Sequence, residues 1–238
     1  VCYFPDLDSA VLTSQEVIQY GVNIARIEKL NKDQMEISIK YAKLENIKAS
    51  PTLFFEFHGS EESNKEAIKI VEELSKNNGG GNFQWAESIE ERNKLWKARH
   101  DVYYSVKALG NNMKVYSTDI CVPISKLVEC VSWAEKHVKE NGLMAPMVGH
   151  VGDGNFHSII LYDPKDEEKQ KLIRDYSDKL IQKALELEGT ITGEHGICLQ
   201  KKHYLLKQHP DNLPAMKSIK RSMDPNNIMN PGKIFDLN

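Results

Sequence analysis

The chain has 238 residues, 40% of them hydrophobic, enough for one sizeable core or two small coupled ones. Its 31 Lys and Arg nearly balance 34 Asp and Glu, leaving no electrostatic footprint for nucleic acid or an anionic membrane, so a small or neutral ligand is expected. The four cysteines, Cys2, Cys121, Cys130 and Cys198, form no CxxC pair and predict reduced thiols, and no apolar run approaches the roughly 20 residues of a membrane span. The chain opens on Val1 already in strand-then-helix pattern, which predicts a piece of a longer protein.

In chain order, the pattern predicts a strand at Val1–Phe4, a helix at Ser9–Tyr20, a strand at Asn23–Ile27 and an inserted helix near Asn31–Leu44. Thr52–His58 alternates with the two-residue period of a strand. Ala67, Ile70, Val71 and Leu74 mark a helix that Asn77–Gly81 ends, and Phe83–Ala86 reads as a strand. From Lys114 the order repeats: strand Val115–Val122, helix Ser125–Asn141, strand Met144–His150, strand Phe156–Tyr162, helix Asp166–Leu187 and a short strand near Thr190–Thr192.

Two β-α-β-β-α-β units predict an α+β fold of the ferredoxin-like kind, an antiparallel sheet whose face buries the apolar stripes of the helices. Between the units, Glu87–Leu109 reads as one long helix with Leu95, Val102 and Val106 on one stripe. Arg99 falls on that stripe, so its guanidinium must either snorkel out or meet a buried anion. After residue 205 the pattern changes to a separate helical piece with a helix at Pro214–Met223 and NPGK at 230–233.

Two segments carry chemistry. In GHVGDGNFH (149–157), glycines allow a tight turn, so His150 and His157 can converge from strands entering and leaving on the same side. Two imidazoles and one carboxylate suit a divalent metal that keeps open positions; Glu194 in GEHG (193–196) is one candidate third ligand and Asp153 its rival. The competing reading makes both residues ordinary hairpin histidines, with the glycines serving only the turn. Glycine on each side of Glu194 and His195 suits close approach to a ligand, and the residues alone leave both readings open.

VGHVGDGNFH, GTITGEHGI, SMDPNNIMNPGKIF, LWKARHDVYYS and YSTDICVPIS resemble successive segments of the vanillyl-alcohol oxidase and p-cresol methylhydroxylase flavoproteins, nearly end to end. GHxGDGNxH followed by GEHG is the specific part; NPGK alone is weak. The resemblance implies a substrate-binding domain of the cap type over 1–205, and a helical segment over 206–238 that packs on an FAD-binding domain lying upstream. It implies His150, His157 and Glu194 as ligands of zinc, manganese or iron, and His195 as the base that takes the substrate hydroxyl proton while the Cα hydride leaves for FAD. Arg99 then matches a substrate-carboxylate contact and Lys114 a second one, against the alternative of an exposed strand-end lysine. Asn230 matches a residue near the flavin ring, against the alternative of a turn residue before Pro231.

The implied reaction is flavin-dependent oxidation of a D-2-hydroxy acid, D-lactate to pyruvate, with cytochrome c or another acceptor taking the electrons in a mitochondrial setting. Alternatives are a D-2-hydroxyglutarate or glycolate dehydrogenase of the same family, a non-catalytic truncated metal-binding chain, and a metal-dependent hydrolase. Two departures stand out. Cys198 and Gln200 occupy positions where relatives continue GEHG with glycines, and Ile159 stands where relatives acting on 2-hydroxyglutarate carry Asn; an apolar side chain there suits a small monocarboxylate.

Overall fold

Local capping signals set the helices on which the sheet is built. Asp6, Ser60 and Asp166 each cap a helix N-terminus by accepting from a backbone N–H three residues on. The structure is a computed structural model and describes residues 1–44, 49–86 and 88–237; the side chains of Lys94, Leu95 and Ala98, and with them the predicted place of Leu95 on the stripe, lie outside what is described, as does Glu87. Strands β1 (Cys2–Tyr3), β2 (Arg26–Leu30), β3 (Thr52–Glu56), β4 (Lys114–Ser117), β5 (Ile120–Cys121), β6 (Met147–Gly149) and β7 (Asn155–Tyr162) make one seven-stranded sheet. Its order is β1-β3-β2-β6-β7-β4, with β5 also on β7, and each pairing is antiparallel.

Side-chain alternation divides the apolar residues between two faces. Ile27, Leu53, Phe55, Met147, Phe156 and Ile160 face the larger core. It is closed by α1 (Leu7–Gln19), α3 (Glu61–Asn77), α6 (Leu127–Glu140) and α7 (Glu167–Glu186). Leu30, Phe54, Val148 and Ile159 face a smaller core under α2 (Lys32–Ala42), α4 (Ile89–His100) and α5 (Val102–Lys107). Glu28 and His157 also belong to this second face by their strand periodicity.

The α+β architecture is as expected, with several local corrections. Strand β2 lies three residues later than the pattern suggests and ends at Leu30, because its backbone runs on through the buried charges Glu28 and Lys29. No strand forms at 83–86: Asn82 takes a positive φ of 50°, so only Gly81 bridges to Tyr3. The helix predicted over Glu87–Leu109 is two, meeting at Asp101, whose ψ of 8° ends α4 before α5 begins. Strand 115–122 is interrupted at Thr118 and Asp119, where the Ser158 amide donates to the Thr118 hydroxyl (2.8 Å) instead of a backbone carbonyl. The 190–192 strand is reduced to a bridge from Thr190 to Cys121.

In the tail, α8 (Lys202–Gln208) was not anticipated; it runs across position 205 and puts Tyr204 and Leu205 into the larger core. α9 (Leu213–Met223) follows. The four cysteines are unpaired, and among the described residues no helix is long and apolar enough to cross a membrane.

Candidate metal and substrate site

β6 and β7 deliver the two histidines. The chain leaves β6 at Gly149, makes a 3-10 turn over Val151–Asp153 and enters β7 at Asn155. Gly154 turns there with φ 78°, where a Cβ would lie 2.1 Å from the Val122 carbonyl oxygen, so no other residue fits. Val148 pairs with His157 across the strands, and the His150 and His157 rings stand 6.2 Å apart at nearly right angles.

Each imidazole has its Nδ1 committed to the protein. His150 Nδ1 is 2.7 Å from Glu28 Oε1, and His157 Nδ1 donates to the Thr118 carbonyl at 2.9 Å. Both Nε2 atoms therefore turn toward Glu194, at 3.5 Å for His150 and 2.9 Å for His157. His157 Nε2 is buried and, despite that short distance, makes no aligned hydrogen bond. A buried nitrogen left unsatisfied calls for a partner, and a cation shared with the facing carboxylate would be one. The donor set of two imidazole nitrogens and one carboxylate oxygen, all within 4.8 Å of one another, fits a divalent cation with coordination positions to spare. Asp153 is not part of a converging set among the described residues; its carbonyl accepts from Cys121 Sγ.

His195 is half-exposed and stacks on His157, with centroids 4.8 Å apart and planes 11° from parallel. Its Nε2 lies 3.6 Å from Glu194 Oε1. The loop that carries Glu194 and His195 is tied to Asp119. That buried carboxylate accepts from the backbone N–H of Gly193 (3.0 Å), Glu194 (3.2 Å) and His195 (3.0 Å), and from the Thr192 hydroxyl. A Cβ at Gly193 would sit 2.0 Å from Asn155 Nδ2, so any other residue would displace the Asn155 side chain from Asp119.

Electrostatics follow from these contacts. Burial raises the Asp119 carboxyl, but the Thr192 hydroxyl, the His195 amide, Asn155 and the Lys201 charge outweigh it and hold Asp119 well below the usual carboxylate range. Burial likewise raises Glu28, and the His150 hydrogen bond and the Arg99 charge outweigh it. The Glu28 hydrogen bond raises His150, while burial lowers His157. Burial thereby favours the neutral form of His157, the form that a metal takes, whereas the Glu28 carboxylate favours the protonated form of His150.

Arg99 meets the buried anion that its apolar stripe required: its Nε donates to Glu28 Oε2 at 2.9 Å. It sits one turn beyond buried Trp96 on α4. Lys114 is not brought to the cluster. It is exposed and pairs with Tyr162, at the opposite end of β7 from His157, and five residues of strand, about 16 Å, exceed a lysine's reach. Ser117, opposite Ile159, is the β4 residue nearer the site. Asn230 is exposed, with φ 47°, and its side-chain oxygen accepts from Lys233 Nζ. Cys198 has φ 46°, the conformation for which a glycine is suited.

Sequence pattern alone does not single out Glu28, Asp119, Thr118 or Lys201. Glu28 and Asp119 lie within strand-like runs, and the only local hint is a charged residue where the period asks for an apolar one.

Comparisons place this chain among known proteins. The family model described as FAD linked oxidases, C-terminal domain, matches residues 1–234. The chain is 43% identical to a probable mitochondrial D-lactate dehydrogenase of Danio rerio, covering 100% of this chain and 48% of the relative. It is 36% identical to a mitochondrial D-lactate dehydrogenase (cytochrome) of Arabidopsis thaliana (99% and 41%) and 29% identical to a glycolate oxidase subunit of Bacillus subtilis (98% and 49%). It thus spans about half the length of these relatives. Among solved structures, 4-ethylphenol oxidase from Gulosibacter chungangensis shares the fold at a TM-score of 0.68 and 16% identity, covering 99% of this chain and 53% of that one. The chain is a member of the FAD-linked oxidase C-terminal domain family.

Proposed function

We propose that this chain forms the metal and substrate site of an FAD-dependent dehydrogenase that oxidises D-lactate to pyruvate. The observation that carries the reading is the convergence of His150 Nε2, His157 Nε2 and Glu194 beside the stacked ring of His195. His150, His157 and Glu194 would hold zinc, manganese or iron. When bound, the ion would supply a Lewis acid for the hydroxyl and carboxylate of the substrate, and FAD would supply the hydride acceptor.

The residues of the chain do the rest. His195, half-exposed at the mouth of the cluster, takes the hydroxyl proton. Arg99 engages Glu28 through its Nε, and among the described residues no hydrogen bond occupies its terminal nitrogens, which could take a substrate carboxylate. Ile159 is buried and apolar, which disfavours a second carboxylate in the substrate. Residues 1–205 act as the substrate-binding part, and 206–238 pack on the flavin-binding half, where Asn230 approaches the ring. The mitochondrial setting and cytochrome c as acceptor follow the relatives so named.

The test is flavin bleaching by a panel of D-2-hydroxy acids in the flavin-loaded protein containing this chain. D-lactate should bleach fastest, and chelation should abolish it. Preference for D-2-hydroxyglutarate, or metal-independent bleaching, overturns the reading. Glycolate is the second reading, favoured by the bacillar relative, and the same panel separates it.

A further inference from the structure

Three consecutive backbone N–H groups of the GEHG loop converge on one oxygen, Asp119 Oδ2, and the Thr192 hydroxyl joins them. Successive amides gathered this way commonly form a cradle for a bound anion. Here the chain supplies its own. Asp119 Oδ1 accepts from Asn155 Nδ2 at 2.9 Å, and Lys201 Nζ donates to the Asp119 carbonyl at 2.8 Å while standing 3.5 Å from Oδ2.

We propose that Asp119 is the positioning residue of the site, an internal anion around which residues 192–195 fold so that Glu194 and His195 face His150 and His157, with Lys201 as its counter-charge. The effect on metal rests on the function proposed above; the loop clamp does not. Asp119, His157 and His195 also form a converging set of ligand atoms. Asp119 is nevertheless an anchor and not a ligand, because its oxygens are already filled by donors from the loop, Asn155 and Lys201. His157 Nδ1 in turn bonds the Thr118 carbonyl at 2.9 Å and lies 3.8 Å from Asp119.

The charge and shape are both required. An asparagine would set an NH₂ group or a weaker, neutral acceptor against the three amides. Asp119 lies in the gap between β4 and β5, opposite His157 in the strand register, so the residue that holds the loop is fixed to the strand that carries a histidine.

Amide hydrogen exchange on the metal-free protein containing this chain tests the clamp, with Asp119→Asn compared with the parent. Exchange at Gly193, Glu194 and His195 should accelerate at least tenfold while the strands keep their protection. Lys201→Met, which keeps the carboxylate, should accelerate the same amides less, and it decides the matter if Asp119→Asn does not fold. Unchanged loop exchange, or acceleration spread evenly over the chain, overturns the proposal. Titration with Mn²⁺ followed by its paramagnetic resonance should then show affinity weakened about 10–100-fold in whichever variant loosens the loop. A loosened loop with parental Mn²⁺ affinity overturns the positioning role. Absence of Mn²⁺ binding by the parent overturns the metal reading instead, and the exchange result still decides the clamp.

Discussion

Glu28 commits one carboxylate oxygen to His150 and the other to Arg99 from a side chain that is 2% exposed. Replacing it with Gln leaves the Arg99 guanidinium, 17% exposed, without its anion; removing one partner of a buried ion pair typically destabilises by about 3–5 kcal/mol. Partial exposure of Arg99 puts Glu28→Gln at the lower end, about 3 kcal/mol by denaturant unfolding. His195→Gln differs. Its ring stacks on His157 and is not one of the proposed ligands His150, His157 and Glu194, so the proposed role predicts kcat lowered about 10²–10⁴-fold with metal content unchanged by elemental analysis. The sequence reveals His150, His157, Glu194 and His195 because glycines crowd around them, and a glycine-flanked acid or base is conspicuous in one dimension. Glu28 and Asp119 give no such signal. Their partners lie 122 and 76 residues away, and only the folded sheet brings them together.

Strand β2 shows why element boundaries blur where charges are buried. Arg26–Leu30 reads RIEKL, and its alternation sends Glu28 to one face of the sheet and Lys29 to the other. A periodic reading stops the strand at Ile27, whereas the backbone continues through both charges to Leu30. Lys29 is fully buried, its Nζ has no hydrogen-bond partner among the described residues, and it lies 5.1 Å from the Phe156 ring. Burial lowers its pKa to about 7, so in the folded chain it loses its proton well below the 10.5 of an unfolded lysine. Between those values the unfolded chain holds more protons, so this group makes stability rise with pH; below about 7 both states are charged and its full penalty applies. Lys29→Met should therefore be more stable than the parent, by about 1–4 kcal/mol near pH 6, with the advantage shrinking toward pH 10. Cys130, pushed up by burial to about 12, interacts electrostatically with Lys29, so the same comparison is repeated in a Cys130→Ala background, where the difference between denaturant midpoints isolates Lys29. A difference independent of pH would refute the assignment.

Across the whole molecule, the two faces of one sheet do different work. The larger core, under α1, α3, α6 and α7, carries most of the buried apolar residues, and the smaller core borders the proposed site with Glu28, Arg99 and His157. The α+β class was legible because strand and helix periods alternate cleanly in both halves; the joining of those halves through β2 and β6 was not, since no local pattern encodes which strands pair. The tail shows the same limit. α8 is short and feeds Tyr204 and Leu205 into the larger core, while α9 buries no residue of its own. Ile219 and Met223, four residues apart and so on one side of α9, are 65% and 74% exposed, and Ile228 beyond them is 77% exposed. If residues 206–238 pack on a flavin-binding half, these side chains supply the apolar contact. Ile219→Glu with Met223→Glu should then leave the stability of this chain within about 0.5 kcal/mol, as surface substitutions do. In the flavin-loaded protein the same pair should lower the melting temperature and slow bleaching by D-lactate. Equal melting and equal bleaching in that protein would remove α9 from the contact and leave its apolar side without a role in joining the two halves.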